Sequence, residues 1–483
     1  MFDTRPVGYV IGLLVAALGV TMFAPMLADV SAGNGHWPVF LECAVITILM
    51  GGLVALACQN GVSSGLSIRQ TFLLTTLVWL ALPLFGSLPF IIGDADLSFT
   101  DAFFEAMSGL TTTGATVLTD IEGLPEGLKL WRAIMQWLGG IGIIVVAMVF
   151  LPELKVGGMQ IFRSEGFDTM GKILPRAAEI SSRISVIYVS ITLACAICFS
   201  IVGMTSFDAI THAMTTVATG GMANYDNSFG QFGAGPHYVA SIFMILAALP
   251  FVRYVQLISG GGTRPLLHDS QIRIFFAVAF SLVLVMTLWL WQTFHGFSEI
   301  GFREALFNVV SILTGTGFSS ADYMQWGPFA VTMFFFIGLV GGCAGSTACS
   351  VKIFRYQLLF TSIKAQIRRI HSPHGVFTPR YEGRPVGEDV LNSVMAFFVA
   401  FLVAIGIVGV ALAFTGLDFI TSISGAATAL ANVGPGLGNE IGPAGNFASL
   451  NDVAKWILSI AMLVGRLEIM AVFTILSWHF WRN

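Results

Sequence analysis

The chain has little charge and few of the side chains that do covalent chemistry. Only 10% of its 483 residues are Asp, Glu, Lys or Arg against 55% hydrophobic ones, which excludes an ordinary soluble domain. Its 6 cysteines (Cys43, Cys58, Cys195, Cys198, Cys343, Cys349) all fall in or beside apolar runs, so they build no extracellular disulfide framework. Cys195 and Cys198 form a C-x-x-C in mid-span, which reads as two small side chains on one helix face rather than a redox pair. His212 reads as a packing or cap group. No P-loop, dinucleotide fingerprint or nucleic-acid motif is found, and Gly260–Gly262 is a lone glycine cluster in a connector. A membrane enzyme would need His, Asp or Glu at metal or nucleophile spacing near the lipid–water boundary, and no such set is visible.

Long apolar runs are abundant instead. Stretches of roughly 20 residues, enough to span a bilayer, lie near 7–29, 38–59, 70–92, 130–151, 184–204, 237–258, 274–295, 327–347, 390–415 and 453–480. The first exceeds the ~7–15 residues of a cleavable h-region and is read as a retained helix. Arg5, Arg69, Lys155, Arg163, Lys172, Arg176, Arg183, Arg264, Arg273, the Lys352–Arg384 stretch and Arg482 share one side, which the positive-inside bias makes cytoplasmic. Acids gather on the other side, among them Asp94, Asp96, Asp101, Glu105, Asp120, Glu122, Asp208, Asp226, Glu304 and Asp418. A negative mouth attracts cations, although outer loops depleted of Lys and Arg look similar.

Four times a short helical pattern opens with an acid and runs into a glycine flanked by small polar residues. The stretches are Asp101–Ala115, Asp208–Gly221, Glu304–Phe318 and Asp418–Gly436, each between two long apolar runs. Gly114, Gly220, Gly317 and Gly434 recur about every hundred residues, a repeat signal. The acids (Asp101, Asp208, Glu304, Asp418) suit helix N-termini, and the C-terminal ends point toward the glycines. Irregular backbone at membrane depth survives only inside protein or beside water. Rings of backbone carbonyls can replace a cation's hydration shell there, and glycine tolerates the backbone such a ring needs.

These units divide the chain into an accessory helix pair (1–62) and repeats at 63–165, 166–265, 266–370 and 371–483, the last led by a cytoplasmic connector whose turn residues suggest a hairpin-like element. The expected fold is therefore an all-α integral membrane protein with four helix–pore loop–helix repeats. The glycine-rich break Gly341–Thr347, followed by Lys352, reads as a broken helix that could form a movable barrier below the glycine loops or a packing kink. Arg466 sits mid-span with Glu468 two residues on. A charge at the bilayer centre costs roughly 2.5–3.5 kcal/mol on insertion scales and must face protein or water. Arg466 is placed toward the pore and Glu468 toward a neighbouring helix, with a structural ion pair as the other possibility.

SGLTTTGAT (Ser108–Thr116), WLGGIGI (Trp137–Ile143), GGCAGST (Gly341–Thr347), NVGPGLG (Asn432–Gly438) and GRLE (Gly465–Glu468) together resemble the Trk/Ktr/HKT superfamily of cation transporters, closest to its bacterial potassium-uptake members, over essentially the whole chain. The resemblance implies pseudo-fourfold symmetry, a homodimer in the bacterial inner membrane, and gating by a cytosolic nucleotide-binding ring of the TrkA type. It maps a potassium selectivity filter onto Thr112, Thr113, Gly114, Ala218, Thr219, Gly220, Gly315, Thr316, Gly317, Asn432, Val433 and Gly434. It maps a gating loop onto Gly341, Gly342, Cys343, Ala344, Gly345, Ser346, Thr347 and Lys352, and a pore arginine onto Arg466. Glycine in all four loops goes with potassium permeation in the family, and serine in the first with sodium. Ala348, Cys349 and Ser350 depart from the glycines common in relatives, which touches the mobility of the gate. Thr219 and Met222 also differ from the apolar and aromatic residues of relatives. Transport, not catalysis, is expected, with a sodium-permeable or proton-coupled relative as the rival; a purely structural scaffold would leave the fourfold glycine pattern unexplained.

Overall fold

The third helix shows why this chain belongs in lipid. Leu41, Val45, Leu49, Leu53 and Leu56 recur at helical spacing and are all exposed, a stripe that water would penalise and hydrocarbon accepts. The opposite face (Phe40, Cys43, Ala44, Thr47, Gly51, Ala55) is buried. There Gly51 meets Gly12 of the first helix so closely that a Cβ on either would overlap the other's carbonyl oxygen at 2.6 Å. Small residues allow such close backbone packing where lipid supplies no hydrophobic drive.

The computed structural model describes residues 3–61, 67–146, 177–294, 296, 298–467 and 469–482. Lys155, Arg163, Lys172, Arg176, Glu468 and the 62/63 and 165/166 boundaries lie outside them. Helices α1 (Arg5–Thr21), α2 (Phe23–Ala32) and α3 (Trp37–Cys58) form the leading hairpin. Next come α4 (Ile68–Gly86), α5 (Leu88–Ile92), α6 (Phe99–Leu110), α7 (Glu126–Val145), α8 (Ala177–Ile201), α9 (Ser206–Val217), α10 (Ala234–Ala247) and α11 (Phe251–Gln256). After a short helix at Arg264–Leu267 follow α12 (Ser270–Thr293), α13 (Glu299–Leu313), α14 (Pro328–Gly338) and α15 (Ile353–His371). A two-stranded antiparallel ladder, β1 (Arg380–Tyr381) with β2 (Arg384–Pro385), makes the expected hairpin in the connector. The chain ends with α16 (Glu388–Phe414), α17 (Phe419–Ala431), α18 (Asp452–Arg466), α19 (Ile469–Leu476) and α20 (Trp478–Arg482).

Among the described residues seven helices are long and apolar enough to cross a membrane, or eight if one bent pair counts as a span. Three of the ten expected spans are therefore not continuous helices. The run at 237–258 bends by 86° between α10 and α11, at Pro250, which lacks the N–H to continue the ladder. The run at 327–347 stops at Gly338, and that at 453–480 breaks after Arg466. An apolar run hides the breaks at Pro250 and after Arg466 because hydropathy does not record where backbone bonds end, whereas the glycines of Gly341–Thr347 marked the one after Gly338.

The four short helices α6, α9, α13 and α17 have 12, 12, 15 and 13 residues. At ~1.5 Å per residue they reach only part-way through a core of roughly 30 Å. Ser98 and Thr205 cap α6 and α9 with Asp101 and Asp208 three residues on, and Asp418 caps α17 itself. The third differs from expectation: Ser298 caps α13, which begins at Glu299, so Glu304 lies in its second turn and caps nothing.

Candidate functional site: a ring of four loops

The backbone after each short helix alternates in the same way. Thr112, Thr219, Gly315 and Asn432 have φ of 52°, 50°, 70° and 52°; two residues later Gly114, Gly221, Gly317 and Gly434 have 85°, 81°, 87° and 107°. This corrects the second loop. The counterpart of Gly114 is Gly221 and not Gly220, so the carbonyl-bearing residue before it is Gly220 itself. A Cβ added to Gly114 would collide with the Gly220 carbonyl oxygen, one on Gly221 with Thr316's, one on Gly317 with Val433's, and one on Gly434 with Thr113's at 2.6 Å. The contacts close a circle through loops one, two, three and four. Glycine is required because the next loop packs where a side chain would start, at φ values that L-residues rarely adopt. All four of these glycines line one cavity together with Thr116, Met222, Ala223, Ser319 and Pro435. Of the residues expected at this site, Thr112, Thr113, Gly114, Thr219, Gly220, Gly315, Thr316, Gly317, Asn432, Val433 and Gly434 take part in this repeating pattern. Ala218 lies one step earlier, as the C-cap of α9.

Two means of support alternate around the ring. In loops one and three a threonine pair closes on itself, Thr111 with Thr113 and Thr314 with Thr316, each Oγ1–Oγ1 distance being 2.7 Å. Loops two and four lack that pair and are held from outside. Gln136 of α7 donates to the Gly220 carbonyl (2.6 Å) and accepts from the Met222 N–H (3.1 Å). Asn432 donates to Thr113 Oγ1 and to the Met462 carbonyl, both at 2.9 Å.

One turn before Gln136 lies the buried Arg132. Its guanidinium donates to Glu105 Oε1 (2.8 Å), the Ala223 carbonyl (2.7 Å) and Thr116 Oγ1 (3.3 Å). Glu105 also accepts from Thr116 Oγ1 and the Val117 N–H. The pair thus stitches loop one to loop two, and the lone charge of Arg132 inside the 130–151 run was the signal available. Several outer acids serve local bonds in the same way. Asp208 accepts from Asn224 and Tyr225, Asp226 from the Asp120 and Ile121 N–H groups, and Asp101 pairs with Lys455 at 2.6 Å. The side-chain hydrogen bond with Thr421, ahead of smaller backbone bonds, holds the Asp418 carboxyl below its ordinary range.

The irregular segment after α14 divides in two. Gly341–Thr347 docks on the break between α10 and α11: Cys343 N–H donates to the Ala248 carbonyl, Thr347 Oγ1 to Ala247's, and Phe251 N–H to Gly345's. Gln271 receives the Ala344 N–H at 2.9 Å. The residues that reach the underside of the ring are Cys349 and Ser350, not Gly341–Thr347. Cys349 N–H donates to the Thr314 carbonyl and Ser350 N–H to Ala431's. Cys349 Sγ lies 3.4 Å from Thr112 Oγ1, and Ser350 Oγ also donates to the Gly338 carbonyl. Gly342 and Ser346 make closing bonds of the loop, and Lys352 Nζ donates to the Ala348 carbonyl.

Arg466 stands beside Cys349. It donates to Cys349 Sγ (3.2 Å) and to the Gly139 carbonyl (3.1 Å), with the Trp79 ring centroid 5.6 Å from its guanidinium. Its Nε has no hydrogen-bond partner, and among the described residues no carboxylate pairs with it.

The sequence model of the TrkH family, described as a cation transport protein, matches residues 36–479. The potassium uptake protein TrkI of Halomonas elongata is 42% identical over 99% of this chain and 97% of its own length. TrkH of Escherichia coli is 36% identical over 99% of both chains. The crystal structure of the potassium transporter TrkH from Vibrio parahaemolyticus superposes with a TM-score of 0.90 at 34% identity over the whole of both chains. A fourfold loop ring, full-length similarity and a common structure converge on one assignment: this chain belongs to the TrkH family of cation transport proteins, multi-pass proteins of the bacterial inner membrane.

Proposed function

We propose that the chain takes up potassium through the ring, as the names of its relatives suggest. The observation that carries this reading is the cyclic packing of Gly114, Gly221, Gly317 and Gly434 against the neighbouring carbonyls. Backbone carbonyls from Thr113, Gly220, Thr316 and Val433 and from the residues before them replace the ion's water. The helix ends at Leu110, Val217, Leu313 and Ala431 direct their negative poles to the same place. No covalent step is involved, so no residue is catalytic.

Below the ring, Cys349 and Ser350 form the barrier and Gly341–Thr347 with Lys352 its hinge and anchor. Arg466 contributes positive charge beside that barrier and speeds ions past it. A homodimer and a cytosolic nucleotide-binding regulator of the TrkA type complete the assembly in this reading. The boundaries at 62, 165, 265 and 370 separate the accessory hairpin and four repeats. Complementation tests the reading: the gene restores growth of a potassium-uptake-deficient bacterium at low external potassium, more strongly with a TrkA-type partner. No restoration with or without that partner, from a chain that reaches the membrane, contradicts it.

A further inference from the structure

A cavity of about 470 Å³ lies between α1, α4 and α7, within the ~300–1,000 Å³ typical of sites for small ligands. Along α1 it runs from Val10 to Thr21, roughly 16 Å at ~1.5 Å per residue. That is about half of a hydrocarbon core of roughly 30 Å, the depth of one leaflet. Its mouth is formed by Leu14 and Ala17, which are exposed on the apolar outer face of α1. Its floor reaches Leu110, the last residue of α6, together with Trp79 and Gly139, two of the three groups around Arg466.

The hydroxyls in the lining are already used. Thr21 Oγ1 donates to the Leu18 carbonyl, Thr75 to Thr71 and Phe72, and Ser185 to Ser181, each within its own helix. The lining therefore has no hydroxyl proton to spare, and its largely aliphatic walls match an apolar guest. In a membrane protein the apolar molecule at this depth, entering from this side, is a lipid tail.

We propose that the cavity takes up one acyl chain of a membrane lipid, which packs against Trp79 and the wall that holds Arg466. The occupancy does not depend on the ion carried, so it stands apart from the transport reading. Gly142 lines the cavity, and a Cβ there would meet only the Trp79 ring at 3.9 Å. Gly142→Leu therefore fills the space without a backbone collision, and Ala17→Phe blocks the mouth from the other wall.

The test reconstitutes the full chain in phosphatidylcholine bilayers whose acyl chains are brominated at mid-length, a quencher of indole fluorescence. Trp79 emission is the difference between each protein and its Trp79→Phe version. In the parent that emission falls at least twofold relative to unbrominated lipid. In Gly142→Leu, or in Ala17→Phe should the first not fold, the quenching is lost. Trp79 emission unaffected by bromine in the parent, or quenched equally in a folded plug variant, overturns the proposal.

Discussion

Arg132 and Arg466 are buried alike, at 2% and 5% exposure, and each donates to a backbone carbonyl beside the ring. Their company differs. Arg132 has Glu105, Thr116 and Ala223 around it, so its charge is cancelled and its fork fixes two loops. Arg466 has a sulfur, one carbonyl and the face of Trp79, none of which cancels a full charge. Burial alone says that an arginine must have partners. Whether those partners carry charge separates an arginine whose charge is cancelled from one whose charge is left open.

The largest effect expected from this contrast is at Arg132. Arg132→Ala strands the buried Glu105 carboxylate, a loss of about 3–5 kcal/mol for a broken buried pair. Yield and thermal stability in detergent should collapse, and adding Glu105→Gln should recover part of the loss. Unchanged melting of the single variant would show that Arg132 holds no structure.

Arg466→Ala removes a costly buried charge together with its bonds and strands no acid among the described residues. The protein should therefore fold, with thermal stability close to the parent, while potassium conductance in planar bilayers changes severalfold. Collapse of the fold to the same degree as Arg132→Ala would make both arginines structural.

Ser350→Gly is a finer probe of the barrier. It deletes the Ser350 Oγ bonds to Gly338 and Ala431 and places glycine at a φ of 60°. Each bond is worth about 0.5–1.5 kcal/mol net, and relief of the left-handed backbone offsets part of that. Rubidium flux into proteoliposomes should rise with little loss of stability. The smallest change is expected for Cys349→Ala, which leaves Arg466 its Gly139 carbonyl and Trp79. Stability should move by less than about 1 kcal/mol, read from thermal melting, with the ion preference intact.

Much of this was legible in the sequence, because lipid imposes long apolar runs and a repeated short helix plus glycine survives in composition. Register was harder. Gly220 and Gly221 are both glycines, spacing does not choose between them, and only the left-handed Thr219 two residues earlier identifies Gly221. Glu304 looked like a cap because an acid before an apolar run fits one, but Ser298 starts the helix sooner. The breaks at Pro250 and Arg466 were hidden in apolar runs, whereas the one after Gly338 was marked by the glycines of Gly341–Thr347. The partnership of Arg132 with Glu105 joins residues 27 positions apart, a contact that spacing along one helix does not reveal. Asp208 and Asp226 counted toward a negative mouth, yet both are committed to local bonds. Charge counting cannot see that commitment.

If the four loops line one potassium path, the reversal potential under opposed potassium and sodium gradients reports it. Purified protein in a planar bilayer should reverse near the potassium equilibrium potential. Gly114→Ser, which pushes a side chain into the Gly220 carbonyl, should shift reversal toward the sodium value. A parent that reverses near the sodium potential, or a conducting Gly114→Ser variant whose reversal potential matches the parent's, would mean that the loops do not select potassium.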